Sequence, residues 1–259
     1  MTEPLLLRED TDGVVTLTLN RPAQFNALSE ALLAELRAAL EKVGADDTAR
    51  VVVIAGAGRA FCAGHDLKEM RANHDKAYMQ ALFRRCAKVM TTLAALPQPV
   101  IARVHGIATA AGCQLVAACD LAVAADVAKF AVSGINVGLF CSTPAVALSR
   151  NMGRKQALEM LLTGEFIDAL DAQRRGLVNR VVPVDVLDAE VKRLADSICG
   201  KSALAIRLGK ELFYRQIEMG VDAAYQLAAE TMACNMVSED AACGIDAFME
   251  KREPEWRGR

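Results

Sequence analysis

The sequence predicts an α/β protein whose sheet-containing core is followed by a helical C-terminal region. Residues 50–55 and 99–104 each form a largely apolar run, which is typical of strands buried on both faces of a parallel sheet. Each run continues through small residues into a helix start, so strand, turn and helix follow one another twice. Beyond residue 184 the patterns are helical. We therefore expect a core over residues 1–184 and a helical region over residues 185–259.

Local patterns predict the elements of the N-terminal half. Residues 14–19 alternate threonine with larger apolar residues, as a half-buried strand does. Ser29 is placed to cap a helix, because apolar residues recur at helical spacing over residues 32–43. Small residues at 60–67 and 106–114 predict tight turns that lead into helices.

The second half contains fewer strand signals. Residues 121–125 predict another buried strand, and residues 177–182 predict a last short one. Pro144 suits the first position of a helix, where its missing N–H group is not needed. Helices separated at Gly200 and Gly220 account for the C-terminal region.

The composition excludes several classes of protein. Hydrophobic residues make up 53% of the 259 residues and charged residues 24%, which argues against a disordered chain. Thirty Lys and Arg residues against 32 Asp and Glu residues give a net charge of −2, so a nucleic-acid binder with a basic surface is not expected. No apolar run reaches the roughly 20 residues that a membrane-spanning helix needs.

The cysteine pattern indicates a reducing environment. The chain has eight cysteines and three histidines but no C-x-x-C motif, so neither a disulfide framework nor a zinc site is expected. The N-terminal residues do not resemble a signal peptide. We therefore expect reduced thiols in the cytoplasm or another reducing compartment.

The glycines after the first buried strand do not form a nucleotide-binding loop. Gly56 and Gly58 match the start of G-x-G-x-x-G, but Phe61 stands where the third glycine is required. The turns at 60–67 and 106–114 suggest another chemistry, since two free N–H groups at such turns can form an oxyanion hole. On spacing alone, ordinary tight turns remain the alternative.

Several fragments, in this order, resemble the crotonase (enoyl-CoA hydratase/isomerase) superfamily over nearly the whole chain. The fragments are residues 19–22 (LNRP), 26–28 (NAL), 61–70 (FCAGHDLKEM), 99–106 (PVIARVHG), 111–115 (AGCQL), 119–120 (CD), 162–164 (LTG), 176–183 (GLVNRVVP) and 247–251 (AFMEK). Each fragment is weak evidence alone, but their order and spacing together are specific. The chain looks most similar to hydratase-domain-containing proteins that lack the catalytic glutamate pair.

The resemblance implies a spiral of ββα turns with a C-terminal helical trimerisation region, and assembly into trimers or hexamers. It implies a lyase of enoyl-CoA hydratase type in fatty-acid metabolism, with a coenzyme A thioester as substrate and neither a prosthetic group nor a metal. By motif position, the backbone N–H groups of His65 and Ala111 would hold the thioester carbonyl oxygen. They would stabilise an enolate there.

The resemblance is weakest at the acid–base positions. Hydratases of the family use two glutamates, and the matching positions here are Gln114 and Gly134. Neither residue can exchange a proton with water or with carbon at neutral pH. Two-glutamate hydration is therefore doubtful. A water positioned by Gln114, decarboxylation through an enolate, and a non-catalytic acyl-CoA binding protein all remain open.

Five further residues are candidates at the site. Cys141 stands just before the helix that Pro144 begins, and a helix N-terminus can lower a thiol pKa. The alternative is that Cys141 is simply a small buried residue. The resemblance also implies coenzyme A contacts from Ala27 and Lys68, and from Phe248 and Lys251 of a neighbouring subunit.

Overall fold

The computed structural model describes residues 3–259 as strands and helices that alternate through the first two thirds of the chain. The strands are β1 (Leu6–Thr11), β2 (Val14–Leu19), β3 (Val51–Gly56), β4 (Ala60–Cys62), β5 (Val100–Val104), β6 (Ile107–Thr109), β7 (Leu121–Ala125), β8 (Lys129–Ala131), β9 (Ile167–Asp168) and β10 (Arg180–Val182). The helices are α1 (Glu30–Gly44), α2 (Leu67–Ala72), α3 (Lys76–Ala95), α4 (Ala111–Ala118), α5 (Ser142–Asn151), α6 (Arg154–Thr163), α7 (Ala169–Arg174), α8 (Leu187–Cys199), α9 (Ala203–Gln216), α10 (Val221–Met236) and α11 (Glu239–Glu250).

Two sheets form the core, which confirms the predicted α/β class. The larger has the order β1-β2-β3-β5-β7-β10, and the smaller has the order β4-β6-β8-β9. Pairing is parallel except between β1 and β2 and between β8 and β9. Every residue of β3 is buried, in agreement with its continuous apolar run.

The chain winds as a spiral in which each turn adds one strand to each sheet. The pairs β3–β4, β5–β6 and β7–β8 are three such turns, and α-helices follow each of them. The second strand of each turn has three residues, too few for a periodic pattern. For this reason the sequence predicted β4 and β6 only as tight turns and gave no prediction for β8.

Helices cover both faces of the larger sheet. Helix α1 packs beside α3 on one face, and the buried residues of α1 begin at Leu32 as expected. Ser29 caps this helix, its Oγ accepting from the Leu32 N–H at 3.2 Å. Helix α8 covers the other face, where Leu187 and Val191 pack with Val53 of β3. Helix α8 belongs to the predicted C-terminal region but packs on the sheet of the core, so the predicted division of the chain at residue 184 stays a prediction.

No helix within residues 3–259 combines the length and the apolar character that crossing a membrane requires.

A buried polar cluster joins α9 to the sheet. The Lys210 ammonium donates to the Asp120 carboxylate at 2.6 Å and to the carbonyl oxygens of Leu93 and Gln98, both at 2.9 Å. The Tyr214 hydroxyl donates to the other Asp120 oxygen at 2.8 Å. Burial outweighs the carboxylate's attraction and lowers the pKa of Lys210.

This cluster gives a stability prediction. Lys210→Met leaves the Asp120 carboxylate without its cation, so the free energy of unfolding should fall by about 3–5 kcal/mol. Urea denaturation followed by circular dichroism measures the change. Lys192→Met, which breaks the exposed ion pair with Asp196, is the matched control and should change stability by about 0.5 kcal/mol or less. Equal effects of the two substitutions would contradict a structural role for the buried cluster.

Candidate active site

A cavity of about 310 Å³ lies where the two small-residue turns meet. Ala63, His65 and Leu67 line it from the turn before α2, and Ala110 and Ala111 line it from the start of α4. The segment 133–144, which leads into α5, closes the remaining side. Among the described residues that line the cavity there is no Asp, Glu, Lys or Arg. The cavity is therefore apolar, and backbone groups and a few small polar side chains supply its polarity.

Among the backbone N–H groups at this cavity with no acceptor within residues 3–259 are the two expected to form an oxyanion hole. They belong to His65 and to Ala111, the first residue of α4. Gly64 has φ +93°, and a Cβ built on it would lie 2.8 Å from the Ala110 Cβ and 3.2 Å from the Ala111 nitrogen. A glycine at position 64 therefore lets the two turns touch, which brings the two N–H groups to the same cavity. Their role as an oxyanion hole stays a prediction.

The turn at Ala110 is itself unusual. Ala110 has φ +50° and ψ −120°, a backbone conformation that residues with a side chain seldom adopt. Its N–H group donates to the Ala131 carbonyl oxygen at 3.0 Å, which fixes the turn to β8. Because Ala111 follows this turn as the first residue of α4, its N–H group has no acceptor within the helix.

The His65 turn is held from the N-terminal side by residues whose role the sequence left unassigned. Leu28 donates to the Gly64 carbonyl oxygen at 2.7 Å and accepts from the Asp66 N–H at 3.3 Å. Arg21 donates to the Asp66 carboxylate at 2.9 Å. The buried Asn26 amide donates to carbonyl oxygens at the β3–β4 turn. Arg21, Asn26 and Leu28 all lie in the matched fragments LNRP and NAL, and that match was the available signal.

The His65 imidazole is neutral and faces apolar surroundings. Its ring packs edge-on against Phe83 at a centroid distance of 5.4 Å, and its buried Nε2 has no hydrogen-bond partner within the described chain. Burial lowers the pKa of His65 to about 4. The imidazole therefore carries no charge near neutral pH.

Gln114 lies one turn after Ala111 on α4 but does not line the cavity. Its side chain is 4% exposed, and its Oε1 has no donor among the residues described. The structure therefore places Gln114 beside the site, behind the cavity wall. A water-positioning role for it stays a prediction.

Gly134 and Cys141 line the cavity and touch each other. A Cβ built on Gly134 would lie 2.7 Å from the Cys141 Sγ and 2.6 Å from the Leu139 carbonyl oxygen. The thiol therefore fills the space that a side chain at position 134 would need. Of the two alternatives for Cys141, the lowered thiol pKa is wrong: burial raises the pKa of its thiol, and a hydrogen bond from Gly134 opposes this only in part.

The predicted coenzyme A contacts do not line the cavity in the single chain. Ala27 is buried, and its carbonyl oxygen accepts from Arg21 at 2.6 Å. Lys68 is exposed at the start of α2. Phe248, which is 85% exposed, and Lys251 lie at the end of α11. All four stay predictions. Across residues 3–259, no group of three or more His, Cys, Asp or Glu side chains is placed to hold a metal ion.

Comparisons with known proteins agree with the fold and the motifs. A family model described as enoyl-CoA hydratase/isomerase matches residues 9–259. A Xenopus laevis protein named enoyl-CoA hydratase domain-containing protein 3, mitochondrial, is 47% identical over 253 residues, which is 98% of this chain and 86% of the relative.

Two solved structures are similar over nearly their whole length. An enoyl-CoA hydratase from Mycobacterium smegmatis is 62% identical with a TM-score of 0.97, covering 98% of this chain and 99% of that one. Human enoyl-CoA hydratase domain-containing protein 3 is 43% identical with a TM-score of 0.95, covering 98% and 100%.

These relatives correct the expected location. The Xenopus protein and its rat and human counterparts are all named mitochondrial. The prediction of a cytoplasmic protein is therefore wrong on this comparison. Composition and cysteine usage indicated a reducing compartment without distinguishing one from another.

The buried imidazole predicts a pH dependence of stability. Between pH 6.5 and about pH 4 the unfolded chain binds a proton at His65 and the folded chain does not, so the free energy of unfolding should fall as the pH drops. The pKa difference corresponds to about 3 kcal/mol.

Denaturant titrations at several pH values measure this fall in wild-type protein and in His65→Gln, which should lack the His65 contribution. The same change at the exposed His74 is the control. A pH profile that His65→Gln leaves unchanged would show that His65 titrates normally in the folded chain.

Proposed function

Because this chain belongs to the enoyl-CoA hydratase/isomerase family, we propose that it is an enzyme acting on acyl-CoA thioesters. The thioester carbonyl oxygen binds between the N–H groups of His65 and Ala111. The observation that carries this proposal is the pair of unpaired backbone N–H groups at one apolar cavity. Each donor gains strength as negative charge develops on that oxygen, which favours an enolate over the bound thioester.

The surroundings of the cavity support enolate chemistry. Ala111 is the first residue of α4, so the positive end of the helix dipole lies beside the developing charge. The lining residues described above include no carboxylate, so no fixed negative charge repels the enolate. Low polarity around the oxygen strengthens both hydrogen bonds.

The residues at the two glutamate positions argue against two-glutamate hydration. Gln114 cannot act as a base, and Gly134 offers no side chain. Decarboxylation is therefore the second candidate reaction, because loss of carbon dioxide generates an enolate without a protein base. An apolar cavity without cations also leaves a bound carboxylate poorly solvated, which favours its loss.

We further propose that the C-terminal helices assemble the chain into trimers or hexamers. Helices α9–α11 expose many large apolar side chains, among them Phe213, Val221, Tyr225, Met232 and Phe248. Exposed apolar surface of this extent is typical of an interface. In such an assembly Phe248 and Lys251 of one subunit contact the coenzyme A bound by the next, and Ala27 and Lys68 contact it from the subunit that binds it.

A panel of CoA thioesters tests the enzymatic proposal. Saturated, enoyl and malonyl-type thioesters are incubated with the protein and followed by mass spectrometry, and at least one should change mass. Ala111→Pro removes one oxyanion donor at a helix position that tolerates proline, and should lower that rate by about 10²–10³-fold.

The thermal melting temperature of Ala111→Pro checks that the variant folds. Titration calorimetry with the same thioesters distinguishes catalysis from binding. Thioesters that bind without any member of the panel changing mass would mean a non-catalytic acyl-CoA binding protein.

Sedimentation tests the assembly. The wild-type chain of 27.8 kDa should sediment with three or six times that mass. Met232→Glu places a charge on an α10 side chain that is 72% exposed in the single chain, and should produce monomers. Val127→Glu, in the exposed turn between β7 and β8, is the control and should leave the mass unchanged. A monomeric wild-type protein would exclude the trimer.

A further inference from the structure

We propose that the Cys141 thiol is the proton donor to the α-carbon of the thioester enolate in this cavity. The inference rests on the proposed enolate chemistry and assigns the group that completes it. Cys141 lines the same cavity as the His65 and Ala111 N–H groups, and its side chain is the one that enters the space beside Gly134. A cavity of about 310 Å³ is at the small end for ligand sites, so a thioester bound at the two N–H groups lies close to the lining side chains.

The other lining groups are less suited to donate a proton. Two titratable side chains, His65 and Cys141, line the cavity. Burial keeps the His65 imidazole unprotonated at neutral pH, so it has no readily released proton. The hydroxyls of Ser133, Ser142 and Thr143 are far weaker acids than a thiol. Cys141 alone combines position with a transferable proton.

The environment of the sulfur suits an acid better than a nucleophile. Burial raises the pKa of Cys141, so the thiol holds its proton until a strong base forms beside it, and a thioester enolate is such a base. A hydrogen bond from Gly134 then stabilises the thiolate that remains.

The transfer balances without any further reagent. The electron pair of the enolate double bond takes the proton from Sγ, so a C–H bond forms at the α-carbon, the S–H bond breaks and the thioester carbonyl is restored. The thiolate of Cys141 then takes a proton from solvent water. In the reverse direction the same thiolate removes the α-proton of a saturated thioester.

Solvent exchange at the α-carbon tests this assignment. Wild-type protein in D₂O should introduce deuterium at the α-carbon of butyryl-CoA, as measured by mass spectrometry. Cys141→Ser and Cys141→Ala should each lower the exchange rate by about 100-fold or more, while titration calorimetry shows unchanged binding of butyryl-CoA. Cys86→Ser, at a buried thiol of α3 away from the cavity, is the matched control and should exchange at the wild-type rate.

The pH profile separates proton transfer from a packing role. The wild-type exchange rate should still be rising at pH 9.0, the usual cysteine value, because the thiol loses its proton only above it. Cys141→Ser should stay about 100-fold slower than wild type over the same range, because only solvent bases remain to remove the α-proton. Melting temperatures of all variants check that each is folded.

The outcomes distinguish this inference from the proposed function. Exchange at the wild-type rate in both Cys141 variants overturns the inference and leaves the oxyanion hole standing. If the wild-type protein turns over another thioester but does not exchange the α-proton of butyryl-CoA, the inference is overturned and the proposed function stands. Binding of butyryl-CoA with neither exchange nor turnover of any thioester overturns both.

Discussion

The close approach of Gly64 to the turn at Ala110 and Ala111 is the contact on which the site depends. The His65 turn and the first turn of α4 belong to successive turns of the spiral, 46 residues apart in sequence. A Cβ at position 64 would overlap the Ala110 side chain, so any other residue would push the two turns apart. The two N–H groups would then no longer share a cavity. The surrounding bonds from Leu28, Arg21 and Asn26 hold the His65 turn in that contact.

The segment between Gly134 and Cys141 is packed so that position 134 leaves no room for a side chain. A side chain at position 134 would meet both the Leu139 carbonyl oxygen and the Cys141 Sγ. Because the Leu139 carbonyl oxygen belongs to the backbone, a larger residue at position 134 would require the whole segment to move. The loop is closed around a glycine, and the Cys141 thiol fills the space that a side chain at position 134 would need.

The sequence predicted the elements that have strong periodic or apolar signals and missed those that depend on tertiary contacts. Strands β3, β5 and β7 are buried apolar runs, and α1 follows its apolar spacing. Strand β1 is mostly exposed and polar, so it carries no such signal and is defined by its pairing with β2. For the site, motif position predicted His65 and Ala111, and the structure places both at one cavity, while their role stays a prediction. Motif position could not give the protonation of Cys141, which depends on burial that only the folded chain creates.

Burial shifts the pKa values of the two titratable groups of the cavity in opposite directions, lowering that of His65 and raising that of Cys141. These two shifts define what the site can do. A buried imidazole loses its proton and a buried thiol keeps its own, since both changes remove charge from an apolar space. The resting cavity is therefore neutral, with its polarity in two fixed N–H dipoles. In the proposed reaction, charge enters only when a thioester becomes an enolate, and its oxygen would then meet donors already in position. A carboxylate in either glutamate position would place a negative charge beside that enolate. The neutral Cys141 thiol, in the role proposed for it, would instead neutralise the enolate by proton transfer and avoid the repulsion.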